Sequence, residues 1–360
     1  MAYSARSHVL LQNDQVRLTL LPAGGHIAAL ALKSNGANAL WDPPWETLEP
    51  SAFDPIKHPQ FGNGPDGRLL AGIVGHNLCF DCFGPPSPEE AAAGLTVHGE
   101  ASVADWEVAA SSGEIRASAE LTLSGMGLER VLRLNPGSNV VVVTETAENR
   151  TAVDRPVGWT QHVTLGPPFL SRGKTIFHAP ASSSKVLEDE FAPGHDRFRR
   201  GAEFQWPLAP LAAGGTADLR ATVDTPVSGA YTAHLLKPGV GHAYFTAFNP
   251  DLKTVFGYVW KRDDFPWLGI WEENHSRQQP PWNGQTFTRG MEFGVSPFPE
   301  SRRAMVERGS LFGEPGFRWI PARSKVTVEY CLFIAEAAAP VETLERVADR
   351  LRGNGVDFRV

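Results

Sequence analysis

Apolar and polar residues alternate with a period of two in short stretches along most of this chain. In QVRLTLL the apolar set is Val16, Leu18 and Leu20. In EIRASAELTL it is Ile115, Ala117, Ala119, Leu121 and Leu123, and in KVTVEYCLFI it is Val326, Val328, Tyr330, Leu332 and Ile334. Side chains two apart share one face of an extended strand, so each stretch predicts a strand with one face on a core. The β-branched run NVVVVTETAEN predicts a strand buried on both faces, and FTAFNPDLKTVFGYVW predicts two strands around an Asn-Pro-Asp turn. Helical signal is sparse. PVETLERVADRL opens with Pro340 and sets Val341, Leu344, Val347 and Leu351 on one stripe, and SPEEAAAG holds one helical turn. Many strands and little helix in 360 residues predict an all-β protein of stacked antiparallel sheets. The Pro- and Gly-rich breaks, such as WDPPWETLEP and FGNGPDG, are short, and strand signals continue across them. One domain over 1–360 is therefore expected, and no fixed-period repeat suggests a propeller or solenoid.

Charge narrows the partners. The net charge of −7 and pI near 5.9 offer no general attraction to a phosphate backbone, so no nucleic-acid partner is expected. The one basic cluster, Arg197, Arg199 and Arg200, reads as a solvated loop, the alternative being an anion site. No apolar stretch has the length of a membrane span, and the opening MAYSARSHVLLQND lacks the apolar core of a signal peptide. With three cysteines, Cys79, Cys82 and Cys331, a cytoplasmic protein without a disulfide framework is expected. Cys79 and Cys82 form a C-x-x-C inside LCFDCF. A strand there turns them to opposite faces, and no second pair with zinc spacing accompanies them, so no metal site is expected.

Three segments place an ionisable residue opposite an apolar set. In LTVHGEAS, Thr96, His98 and Glu100 oppose Leu95 and Val97. In PVGWTQHVTLG, Thr160, His162 and Thr164 oppose Val157, Trp159 and Val163. In TRGMEFGVSPF, Glu292 opposes Met291 and Phe293, and Gly290 and Gly294 beside it leave room for close approach. In FPWLGIWEENHSRQQPPWNGQ, Trp267, Trp271 and Glu273 oppose Leu268 and Ile270. Exposed indole beside carboxylate and amide groups suits a pyranose, whose C–H faces stack while its hydroxyls seek hydrogen-bond partners. Pattern alone does not bring these segments together. Taken singly, each ionisable residue reads as a solvated one.

In order and spacing these segments resemble the galactose-mutarotase-like group, which includes aldose 1-epimerases and hexose-phosphate mutarotases. QNDQVRLTLLPAGGHIAALALKSNG is similar to the group's opening strands, HNLCFDCFGPP with LTVHGEAS to its Phe-Gly turn and first histidine, GWTQHVTLGPPFL to its second histidine strand, and RGMEFGVSPFPE to its late glutamate strand. The resemblance implies a β-supersandwich and interconversion of the two anomers of a monosaccharide or sugar derivative, without cofactor. It implies that His98 binds the sugar, that His162 acts on the ring oxygen, and that Glu292 acts on the anomeric hydroxyl. A carboxylate and an imidazole suit that chemistry near neutral pH.

The sequence departs from the group before LCF, where an arginine that holds the sugar is expected. GIVGHNLCFD has none. His76, Asn77 and Asp81 become candidate substrate-binding residues there, with Arg68 as a substitute cation and Trp271 and Glu273 as further contacts. An aspartate common between the second histidine and the late glutamate has only Asp224, Asp263 and Asp264 as candidates. A noncatalytic carbohydrate-binding protein, or a lyase or glycoside-acting enzyme on the same scaffold, are the alternatives. The sequence sets neither the sugar nor the oligomeric state.

Overall fold

The computed structural model describes residues 1–356. Two large antiparallel sheets face each other across the main apolar cluster. In one, the central strands run in the order His76–Asp81, Arg155–Leu165, Phe287–Gly294, Trp267–Asn274 and Ser228–Leu236, flanked by Val9–Gln12, Val16–Leu21 and His26–Leu32 on one side and Ala181–Val186 and Glu203–Gln205 on the other. The other sheet runs from Ile176–His178 through His242–Asn249, Thr254–Lys261, Lys325–Glu336, Val140–Asn149, Met126–Leu134 and Glu114–Leu121 to Glu107–Ser111. The all-β, sheet-on-sheet expectation holds.

The predicted alternations are the faces turned inward: Val16, Leu18, Leu20, Ile115, Ala117, Ala119, Leu121, Val328, Tyr330, Leu332 and Ile334 are all buried in the shared cluster. Leu123 is not; the Glu114–Leu121 strand ends before it, and its side chain is exposed. In Val140–Asn149 the expected two-sided burial holds only at the start. Val140 packs against the C-terminal helix and Val141 against the main core, after which inward residues alternate with partly exposed ones. The Leu344–Gly353 helix lays Val347 and Leu351 on the outer face of the second sheet. It is capped by the Thr343 side chain, so it starts after Pro340 rather than at it. Pro88–Ala92 is the single turn read from SPEEAAAG, closed by a Ser87/Glu90 capping box. No helix among the described residues is long and apolar enough to cross a membrane.

A polar network crosses the core between the sheets. Glu145 from the second sheet pairs with Arg130 at 2.7 Å and accepts hydrogen bonds from Trp159 Nε1 and Gln161 Nε2 of the first. Gln161 Oε1 in turn lies 2.9 Å from His76 Nε2, and the Tyr258 hydroxyl lies 2.9 Å from His76 Nδ1. The Arg130 and Glu145 charges in this buried layer are matched to each other, as burial requires. His76 is committed to the network on the core side of its strand. That corrects its expected role as a sugar contact.

Candidate active site

The first sheet's outer face carries the cavity, and the strand register explains why. Asn77 pairs with His162, His162 with Glu292, and Glu292 with Gly269, so one row of side chains runs across four strands. The next row is Thr164, Gly290, Trp271 and Tyr231. Residues directly opposite in antiparallel strands hold their Cβ atoms roughly 5 Å apart. His162 and Glu292, 130 positions apart in sequence, are therefore cross-strand neighbours on one face, with Nε2 and Oε1 separated by 3.0 Å.

Glycines let side chains lie flat on this sheet. A Cβ at Gly290 would stand 2.4 Å from Glu292 Oε1, and one at Gly269 would stand 2.1 Å from the Tyr231 hydroxyl. The space beside Glu292 is thus filled by its own carboxylate, not left open for a ligand as its flanking glycines suggested. At Gly294 the Thr160 hydroxyl fills it.

His98 arrives differently from the sequence reading. LTVHGEAS is not a strand but a turn, in which His98 adopts a left-handed backbone with φ 67°. Its N–H donates to Gly84 O, its carbonyl accepts from Phe80 N, and its ring lies nearly parallel to Phe83 with centroids 5.9 Å apart. Left-handed backbone at a non-glycine residue costs roughly 1–3 kcal/mol and is held only where the surroundings fix it. The result is a His98 ring 5.0 Å from that of His162, centroid to centroid.

Together these groups line a cavity of about 290 Å³. His98, His162 and Glu292 form its polar floor. Trp271, Trp282, Phe191, Leu69 and Leu70 supply much of the apolar wall. His162 and Glu292 are 5% and 3% exposed. Burial in this apolar surround pushes the Glu292 carboxyl well above the usual carboxylate range and draws His162 down to about 4. His98 is also lowered well below an ordinary imidazole, first by burial and then by His162 and Arg277. Both shifts favour the neutral forms, a carboxylic acid beside a neutral imidazole. The Thr164 hydroxyl stands 3.1 Å from His162 Nδ1, which fixes the ring.

The remaining candidates divide. Trp271 lines the cavity, its ring 5.7 Å from that of His162, but it is buried rather than exposed; Trp267 is fully buried, away from the cavity. Asn77 is buried in the row beside His162 without reaching the cavity. Asp81 lies off the cavity, buried between Arg155 and Arg302. Arg68 is exposed on the Gly67–Gly72 helix and does not line the cavity, so it does not stand in for the missing arginine. Glu273 does not line it either; its carboxylate accepts from Ser276 N, Ser276 Oγ and Arg277 N. Asp224 and Asp263 are exposed and Asp264 pairs with Arg318, all outside the cavity. Arg197 pairs with Glu272, and Arg200 with Glu190 and Asp196, which removes the basic cluster from the site. Cys79 and Cys82 are free, buried thiols, and the described residues hold no cluster suited to a metal ion.

The cation that does line the cavity is Arg277, which sequence reasoning passed over. Its guanidinium lies 4.7 Å from the centre of the Trp282 ring and 5.7 Å from that of Trp271. Its Nε is 3.4 Å from Glu273, four residues earlier. The one signal available was that Glu273-x-x-x-Arg277 spacing inside a Trp-rich loop.

No protein-family model and no curated protein sequence matches the chain. Solved structures do. A protein provisionally assigned as an aldose 1-epimerase from Klebsiella pneumoniae superposes with a TM-score of 0.66 at 17% identity, over 94% of this chain and 80% of its own. A galactose mutarotase related enzyme from Lactobacillus acidophilus gives 0.58 at 12% identity, over 94% and 100%. A galactose mutarotase-like protein from Clostridium acetobutylicum gives 0.57 at 13%, over 91% and 95%. The fold is the galactose-mutarotase-like sandwich, as the resemblance implied.

Proposed function

We propose that the protein is a cofactor-independent, aldose 1-epimerase-like isomerase that interconverts the anomers of a sugar. The observation that carries this reading is the 3.0 Å contact between His162 and Glu292 on the floor of a largely apolar cavity. The anomeric hydroxyl oxygen and the ring oxygen are bonded to one carbon, so an acid and a base that touch each other can reach both. In the productive arrangement the shared proton sits on His162. Glu292 takes the proton of the anomeric hydroxyl while His162 gives one to the ring oxygen. The bond between the anomeric carbon and the ring oxygen breaks, and a carbonyl forms. Rotation of the aldehyde presents its other face, and the reverse transfers close the ring. The proton count of the pair is the same at the end as at the start, so neither metal nor nucleophile is called for. His98 would hold a sugar oxygen in this reading, which its unpartnered Nδ1 in a turn at the cavity floor supports.

The test is optical-rotation or NMR-exchange relaxation of freshly dissolved aldoses. His162→Ala and Glu292→Gln are each expected to lower kcat by about 10²–10⁴-fold while sugar binding survives. Sugar binding without acceleration by the wild-type chain over a broad panel would overturn the reading in favour of a binding protein. A cleaved or unsaturated product would make it a glycoside-acting enzyme or a lyase.

A further inference from the structure

Arg277 is the one Lys or Arg among the described residues that line the cavity. Trp282, Phe191 and Trp271 surround its guanidinium, at 4.7, 5.4 and 5.7 Å from their ring centres. Glu273 approaches only from the Nε side, at 3.4 Å, and that carboxylate already accepts three hydrogen bonds from Ser276 and the Arg277 backbone. The terminal nitrogens of Arg277 donate to no described residue. The structure therefore holds a planar fork of donors, fixed by aromatic contact and unspent, at the side of a cavity whose walls are mostly apolar. The side chain is 31% exposed, so the fork is open to a ligand entering from the cavity mouth, and a guanidinium so presented pairs a carboxylate through two parallel hydrogen bonds. The facing floor does not strongly oppose an anion, since burial disfavours the charged form of Glu292 and the neighbouring His162 can take the proton it gives up. Asp66, the other acid lining the cavity, is exposed, and its charge reaches Arg277 beside that of Glu273, so a bound carboxylate would share the guanidinium with both acids. A phosphate dianion usually draws on more than a single arginine, and the Arg197–Arg200 cluster is paired elsewhere.

We propose that Arg277 determines the specificity of this cavity and that the substrate is an aldose bearing a carboxylate, a hexuronate. The proposal rests on the isomerase reading for its chemistry but not for its recognition. The test compares glucuronate and galacturonate with glucose, galactose and glucose 6-phosphate in the relaxation assay. The wild-type chain is expected to favour at least one hexuronate by roughly 30-fold or more in kcat/KM over its parent hexose and over the phosphate ester. Arg277→Gln should collapse that preference toward unity, through KM rather than kcat. Arg277→Lys, which keeps the charge and loses the fork, should retain an intermediate preference, and it carries the test if the Gln variant does not fold. Equal treatment of acid and neutral sugars, a preference for the phosphate ester, or variants that slow all sugars alike without changing the preference would each overturn the proposal. If no aldose is relaxed, the isomerase reading fails and recognition is read separately. Titration against the fluorescence of the indoles around Arg277 should then still show the hexuronate bound roughly 30-fold tighter than its parent hexose, with the difference lost in Arg277→Gln. Its absence overturns the proposal on that arm too.

Discussion

At the residue scale, two ionisable groups are displaced in opposite directions by the same cause. Burial raises Glu292 and lowers His162, so the pair keeps a single proton over a wide pH range. Acidification through about pH 4 adds a second proton on His162. Alkalinisation past the raised Glu292 value removes the only one. The pH profile of kcat/KM is therefore expected to be a broad plateau, with an acid limb near 4 and an alkaline limb well above the usual carboxylate range. An alkaline limb that survives in Glu292→Gln would assign that limb to another group. His162 and Glu292 were proposed from strand pattern and resemblance, and the structure sets them on one face; for His98 the resemblance was the guide, since its segment is a turn. The cation that lines the cavity was not legible in the sequence. Arg277 follows the strand that carries Glu273, in a loop where alternation says nothing about direction, and only the packing of Trp271, Trp282 and Phe191 turns it inward.

At the element scale, the site is a product of antiparallel register. Pairing of Arg155–Leu165 with Phe287–Gly294 sets His162 opposite Glu292, and a one-residue slip would send one of them to the core face. Gly290 preserves the flat orientation of the carboxylate. A methyl group there meets the movable end of Glu292 and also stands 3.2 Å from Trp271 Cβ, so the acid must lift away from its place. Gly290→Ala is expected to lower kcat by roughly 10²-fold, because small misplacements of a reacting group are costly. It should cost no more than about 1–3 kcal/mol in stability. Kinetics beside a urea melt would check this, and an unchanged kcat would show that the resting carboxylate position is irrelevant. His98 shows the limit of pattern reading. Period two in LTVHGEAS is accidental: Gly99, at φ 78°, lets the chain turn, and the Thr96 hydroxyl closes that turn on Gly99 O. Alternation over so few residues does not separate a strand from a turn.

At the scale of the whole molecule, the buried ionisable groups make stability depend on pH from both sides. His26 and His234 are drawn down to about 3 and His162 to about 4, while His76 and His98 lie well below the ordinary imidazole range, all chiefly by burial. Their folded values lie below their unfolded ones, so the unfolded chain binds protons first. Stability is lost as pH falls through about 6.5, by up to about 1.4 kcal/mol per pH unit for each such group. Glu292 acts oppositely. Its folded value is raised, so stability is lost as pH climbs above the unfolded carboxylate value toward the folded one. Glu292→Gln removes that loss. The variant is expected to exceed the wild type in urea midpoint by more at pH 8 than at pH 5. A gap independent of pH would mean that Glu292 is not held protonated in the folded chain.

The sequence by itself determined most of the sheets, because period-two alternation sustained over a strand's length reports which side of it meets apolar matter. It also supplied a histidine and a glutamate, the residue types of the proposed acid–base pair. Tertiary structure alone decided the company each residue keeps. His76 and His162 lie on neighbouring strands, yet one faces the core network and the other the cavity. Arg68 points to solvent while Arg277 points inward. Those outcomes depend on which strands pair, in what register, and on what covers each face. Such contacts join residues tens to hundreds of positions apart, and no local pattern encodes them.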